Sequence, residues 1–223
     1  NHVYISEYIG DLANFETYER FENTVKSYQK IFNFEPEIIL KDLHPKYENQ
    51  NIISRFEKKS AQSAKSTRVE KIQHHKAHFA SILGEKKLWK KDKVLGIIWD
   101  GIGFGTSTEI WGGEFFLFEN KRIKRVGQLE NFAWILGDKM SKSPKISALS
   151  ISENNEDLKF AFDENEWKIY TNLIEKSEIK TSSMGRFFDA VAFVLGYEKP
   201  LFFEGEPAMW LEKISQEKFP TDF

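Results

Sequence analysis

The run Gln73–Glu114, QHHKAHFASILGEKKLWKKDKVLGIIWDGIGFGTSTEIWGGE, most constrains what this chain can fold into. Val94 to Trp99 are apolar without interruption, and a run of that length bounded by charges and glycines predicts a buried strand. Asp100 stands at its C-terminal end, and Gly101, Gly103 and Gly105 follow at once. Ile110 to Glu119 then alternates and is rich in aromatics, which predicts a second strand. Ahead of this unit, His74 to about Lys87 predicts a helix. A helix feeding a strand that ends in an acid beside a turn is α/β architecture, and α/β proteins place ligands at such strand ends.

His74 and His78 lie four apart, so on a helix they share one face and present two imidazoles to one point. That pair suits a borderline divalent metal such as zinc or iron, with Asp100 as the candidate third ligand. The alternative is a structural pair, since an HxxxH spacing alone is common. His75 points to another face and reads as a supporting contact, a substrate contact or an exposed residue. The three glycines allow close approach of backbone amides and could cradle a phosphate. They fit a plain glycine-rich hairpin equally well. A strand rather than a helix follows them, so the turn is neither a Rossmann nor a Walker loop.

Composition narrows the chemistry. The 223 residues contain no cysteine, which excludes disulfides, thiolate metal sites and a cysteine nucleophile. The formal net charge of −2 gives no electrostatic case for nucleic acid. The lysines at 86, 87, 90, 91 and 93 read as a solvated helix end. No run approaches the ~20 apolar residues of a membrane span, and the N-terminus does not read as a signal peptide. The expected location is cytoplasmic.

Upstream, Val3 to Ile5 predicts a short strand, and Asn14 caps a helix running to about Asn33. Phe15, Tyr18, Phe21, Val25, Tyr28 and Phe32 fall at helical spacing and are expected in the core. A strand at Glu37 to Leu40 leads to Asp42 and His44, which either line a cleft or serve turn chemistry. A polar helix is expected over 49–64 and a strand over Val69 to Gln73. Downstream, Arg122 to Leu129 completes an antiparallel meander through a turn at Glu119-Asn120-Lys121. The region 157–176 reads as helical and peripheral. Ser182 and Ser183 cap a helix from Met184 to Leu195. Gly185 and Asp189 share a face of it, either for a ligand or for close helix packing. Glu204-Gly205-Glu206 opens the last helix, to about Gln216.

QHHKAHFAS followed by WDGIGFGTSTEIWGGEF resembles the HypF family of hydrogenase maturation carbamoyltransferases, in its C-terminal domain related to the Kae1/TsaD proteins. ISEYIGDLANFETYERFE, KDLHPKY, SSMGRFFDAVAFVLG and FEGEPAMWLE resemble further family blocks, in family order. One family run is altered: its REPWR-like segment is here Lys142-Ser143-Pro144-Lys145-Ile146, and a bidentate arginine contact survives neither change.

The resemblance implies an actin-like ATPase (ASKHA, ribonuclease H-like) two-lobed α/β fold of the Kae1/TsaD type, incomplete at both ends. One lobe would span 1–92. A second would span 93–223, with a helical insertion near 135–181. It implies a divalent metal, zinc or iron, on His74, His78 and Asp100. Phosphates would lie on Gly101, Gly103 and Gly105. The rest of the nucleotide would face Gly137, Asp138, Gly185, Asp189 and Glu204. The implied reaction makes carbamoyl adenylate from carbamoyl phosphate and ATP with Mg. It then passes the carbamoyl group to the C-terminal cysteine of HypE, for a cyanide ligand of the nickel–iron hydrogenase. The chain alone is expected to be inactive. Two alternatives remain: a TsaD/Kae1-like tRNA threonylcarbamoyl transferase, and a non-catalytic nucleotide-binding module. DGIGFG and IWGGEF favour the first reading, because the tRNA-modifying group carries a different, SGGHT-like loop.

Overall fold

Asn14 starts the first helix as its sequence predicts. In the computed structural model, which describes residues 3–44, 67–105 and 109–218, its side chain accepts hydrogen bonds from the Glu16 and Thr17 amides. Helix α1 runs Phe15–Phe32 and ends on Asn33 in the left-handed conformation (φ 47°). Its aromatic stripe is not core, contrary to expectation: none of its residues is buried, and Phe15 is 72% exposed. The stripe instead receives the chain's first residues. Tyr4 lies 4.1 Å from Phe32, the Tyr28 hydroxyl donates to the Ile5 carbonyl at 3.3 Å, and Arg20 pairs with Glu7 at 2.8 Å. The segment around Val3 to Ile5 is therefore extended but not a strand, because side chains rather than a ladder hold it. Strand β1 (Ile38–Asp42) pairs in parallel with β2 (Arg68–Ile72), Ile38 opposite Arg68. Asp42 accepts from the His44 amide at 2.7 Å, which is the turn reading of that pair. The helix expected at 49–64 lies outside the described residues.

The chain divides into two compact units, Asn1–Gln73 and His74–Phe223. The division falls upstream of the boundary at 92/93 that the sequence suggests. Helix α2 (His74–Glu85) belongs with the second unit because Phe79 and Leu83 pack with Trp111, Phe116 and Phe118 into one cluster.

In the second unit, β3 (Lys93–Phe104), β4 (Ile110–Glu119) and β5 (Arg122–Gln128) form the expected antiparallel meander. Asn120 and Lys121 both take positive φ (52° and 58°), the two-residue hairpin geometry that suits strand twist. After β6 (Phe132–Ala133) come helices α3 (Asp138–Ser141), α4 (Pro144–Ile151) and α5 (Glu164–Lys176). Strand β7 (Lys180–Thr181), α6 (Met184–Val194) and α7 (Glu206–Lys218) complete the described chain. The sheet order is β3-β4-β7-β6, with β5 also on β4.

Two expectations change here. Strand β3 is buried on one face only: Leu95, Ile97 and Trp99 are 61%, 55% and 59% exposed. Among the described strands it pairs with β4 alone, so it lies at the sheet edge with α2 over one face. Second, the region 157–176 is helical but not peripheral. Leu158, Phe162, Tyr170 and Ile174 join Trp134, Met140, Ile146 and Leu149 in the larger core cluster. Ile146 is fully buried there, so the altered REPWR-like run ends in a core residue.

Candidate metal centre

Three imidazoles and one carboxylate meet where α2 begins beside the far half of β3. Along β3 the pairing slips: Trp99 opposes Gly113 and Gly103 opposes Trp111, so residues 100–102 face Gly112 alone. A bulge of this kind bends the strand and re-aims its side chains. It aims Asp100 at α2. Asp100 Oδ2 lies 3.1 Å from His74 Nε2, 3.5 Å from His75 Nε2 and 3.8 Å from His78 Nε2. His74 Nε2 and His78 Nε2 are 3.2 Å apart. The other carboxylate oxygen, Oδ1, accepts the Gly101 amide at 2.7 Å.

Burial sorts the histidines. His78 is 53% exposed and His74 27%, so the cluster opens to solvent on their side. His75 is fully buried, which removes the exposed alternative for it, and its Nε2 lies beside Asp100, as a supporting contact would. Its ring sits under Gly103 and 6.1 Å from Trp111. Burial drives the His75 pKa from 6.5 down to about 4, against the pull of Asp100. Burial also pushes the Asp100 carboxyl up, but the hydrogen bonds from His74 and the Gly101 amide, with the charges of His74 and His75, outweigh it and hold the group below its usual range. An ionised carboxylate therefore faces two solvent-accessible imidazoles. His74, His78 and Asp100 each offer one donor atom, all within 4.8 Å of one another. Two imidazole nitrogens and one carboxylate oxygen make a donor set that a borderline divalent cation accepts, with positions left open to solvent.

The other predicted residues fall at different distances from this centre. Gly185 and Glu204 come to Gly101, the neighbour of Asp100: a Cβ on Gly185 would lie 2.8 Å from the Gly101 Cα, and Glu204 Oε1 lies 3.0 Å from where a Gly101 Cβ would stand. Asp189 is buried on α6 and pairs with Arg186 at 2.6 Å. Burial raises its pKa and Arg186 opposes that rise. Of the three turn glycines, Gly101 donates its amide to Asp100 and Gly105 donates to the Glu109 carbonyl at 3.0 Å. Gly101 and Gly103 lie within β3 itself. Gly103 is where a side chain would strike the His75 ring, so bare backbone there lets α2 seat its histidines. Gly137 and Asp138 open α3, where their carbonyls accept from Met140 and Ser141.

Sequence reasoning missed what surrounds the centre. Ser183 caps α6 by accepting the Arg186 amide, as expected of a cap, but its hydroxyl also donates to the Gly101 carbonyl at 2.5 Å. Glu114 is fully buried and held by Arg125, whose guanidinium stacks 3.8 Å over Trp111. The signal was present: a lone acid inside the aromatic strand IWGGEFFLF must find a partner or a function.

Residues 96–222 match the family described as carbamoyltransferase, Kae1-like domain, second subdomain, and residues 1–85 match the HypF Kae1-like domain. The chain is 30% identical to carbamoyltransferase HypF of Synechocystis sp. over 99% of its own length and 31% of that protein's. It is 33% identical to carbamoyltransferase HypF of Rhodobacter capsulatus, over 97% and 30% respectively. It thus spans about a third of these relatives. The crystal structure of full-length HypF in the phosphate- and nucleotide-bound form superposes with a TM-score of 0.79 at 32% identity, over 93% of this chain and 27% of that one. That of T. kodakarensis HypF gives 0.78 at 27% identity, over 94% and 29%.

Proposed function

Because this chain belongs to the HypF family and carries its Kae1-like α/β fold, we propose that it is part of a domain that transfers a carbamoyl group from carbamoyl adenylate to a thiol. The observation that carries this reading is the convergence of His74, His78 and Asp100 on one solvent-accessible point. A divalent metal held by these three would act as a Lewis acid toward the phosphate and carbamoyl oxygens. The chain's own residues bind and orient. Asp100 stays ionised beside two imidazoles, and the bulge keeps its carboxylate aimed at them. Gly101 and Gly185 bring two backbones into contact next to Asp100, with Glu204 beside Gly101. The nucleotide sugar is assigned to the side of Gly185 and Asp189.

In the whole protein, carbamoyl phosphate and ATP supply the adenylate. The acceptor is the C-terminal cysteine of HypE, in the cytoplasm. Its thiolate attacks the carbamoyl carbon, the bond from that carbon to the AMP phosphate oxygen breaks, and AMP departs. This chain has no cysteine, so the thiol comes from the acceptor. The test is a transfer assay with the full protein that carries this chain, read as the mass gain of the acceptor's terminal peptide. His78→Ala is expected to abolish transfer. Wild-type transfer by that variant would remove the metal assignment.

A further inference from the structure

The buried carboxylate of Glu114 uses its two oxygens for two different tasks. Oε2 takes the Arg125 Nε at 2.5 Å, the ion-pair contact of a fully buried acid. Oε1 takes the Ser182 hydroxyl at 2.5 Å and the Gly112 amide at 3.3 Å. Gly112 is the single residue opposite the bulge at 100–102. Ser182 precedes Ser183, whose hydroxyl holds the Gly101 carbonyl, and Gly101 in turn holds Asp100 through its amide. The spacing around these atoms is tight. A Cβ on Gly112 would stand 2.6 Å from the Asp100 carbonyl oxygen and 2.8 Å from the Ser183 Cα. Strand β4, the Ser182-Ser183 turn and the bulge are thus pinned at one node, and Glu114 Oε1 lies at its centre.

We propose that Glu114 is a positioning residue for Asp100, acting through Ser182 and Gly112 to fix the bulge that aims the carboxylate at His74 and His78. It touches neither metal nor substrate. A strand would satisfy Ser182 and Gly112 as well by leaving them to water at an edge. A buried carboxylate, by contrast, is costly to place and needs its own arginine. Its charge makes both hydrogen bonds to it stronger than neutral ones would be. Bulges left to loop flexibility would let Asp100 swing, and supporting bonds of this kind commonly govern metal affinity by 10- to 100-fold.

This inference rests on the metal reading of the His74, His78 and Asp100 cluster, and its test separates the two. Cobalt(II) is titrated into the purified chain, with affinity and the visible ligand-field spectrum as readouts and urea unfolding alongside. Ser182→Ala removes the Ser182 hydrogen bond to Oε1 and leaves the Gly112 amide and the Arg125 pair in place. It is expected to weaken cobalt binding about tenfold or more and to alter the spectrum. Glu114→Gln keeps the volume and an acceptor for Ser182 but turns an N–H donor toward the Arg125 Nε and removes its ion-pair partner, so it is expected to weaken cobalt binding at least as much as Ser182→Ala does. Ile146→Ala, in the separate core cluster, controls for lost stability and should bind cobalt as wild type does. Wild-type affinity and spectrum in both Ser182→Ala and Glu114→Gln would overturn the positioning role while leaving the metal site standing. Weakening by Ile146→Ala as large as by Ser182→Ala would also overturn it. No cobalt binding by the wild-type chain would overturn both readings.

Discussion

Gly101, Gly103 and Gly105 look alike in the sequence, and replacing each by alanine should cost different amounts. At Gly103 the new methyl would collide with the ring of His75, which is fully buried and has nowhere to go, and would lie 3.0 Å from His74 Cδ2. Overpacking of that kind costs about 1–3 kcal/mol. At Gly105 the methyl would meet the backbone oxygen of Glu109, the acceptor of Gly105's own amide, so the hairpin must shift, again for about 1–3 kcal/mol. At Gly101 its sole contact is Glu204 Oε1 at 3.0 Å, the end of an exposed side chain that can move aside. None of the three has positive φ, so alanine also stabilises each through the unfolded chain by about 0.4–1 kcal/mol. The net expectation is near zero or slight stabilisation for Gly101→Ala, and a loss of about 1–2 kcal/mol for Gly103→Ala and Gly105→Ala. Urea unfolding followed by tryptophan fluorescence, on the metal-free chain, measures all three. A Gly103→Ala variant as stable as wild type, or equal losses at all three positions, would refute the packing account of the turn.

Acid should destabilise the metal-free chain through His75. Its folded pKa of about 4 lies below its ordinary 6.5, so the unfolded state binds the extra proton and stability falls as pH drops from 6.5 toward 4. The full displacement corresponds to at most about 3.5 kcal/mol at ~1.4 kcal/mol per pH unit. Asp100, held low, loses its contribution only below this window, whereas Asp189, pushed up by burial, acts in the opposite sense. The difference between wild type and His75→Gln isolates the effect, and parallel pH profiles for the two would contradict it. Restoring an arginine as Ile146→Arg should unfold the second unit or cost more than about 4 kcal/mol, because the position is fully buried in apolar core. A folded, cooperative Ile146→Arg protein by circular dichroism would count against that placement.

The elements legible in the sequence were those with local causes. Asn14 and Asn33 bound α1 by capping, Asn120-Lys121 turns β4 into β5, and aromatic alternation marks β4 itself. The triad was legible because helical spacing and strand-end placement are also local rules. What escaped depends on which faces are covered. Periodicity shows that Leu95, Ile97 and Trp99 share a face, yet nothing in the run says that β3 lies at a sheet edge with that face exposed. The same holds for α1, whose stripe meets an extended segment instead of a core. The bulge at 100–102 is a mismatch of two strands, and Gly101 within β3 hints at one without fixing the register. The three readings of His75 stayed open for that reason: only with β3 bent over α2 does it lie beneath Gly103.

Metal binding by the chain tests the central claim most directly. Isothermal titration of zinc and manganese should be run on wild type, His74→Ala, His78→Ala and Asp100→Asn, each checked for folding by circular dichroism. The account predicts one site per chain in the wild type, lost or weakened at least tenfold in all three variants. A folded wild-type chain that binds neither metal, or a site that persists unchanged when His78 and Asp100 are replaced, would contradict it.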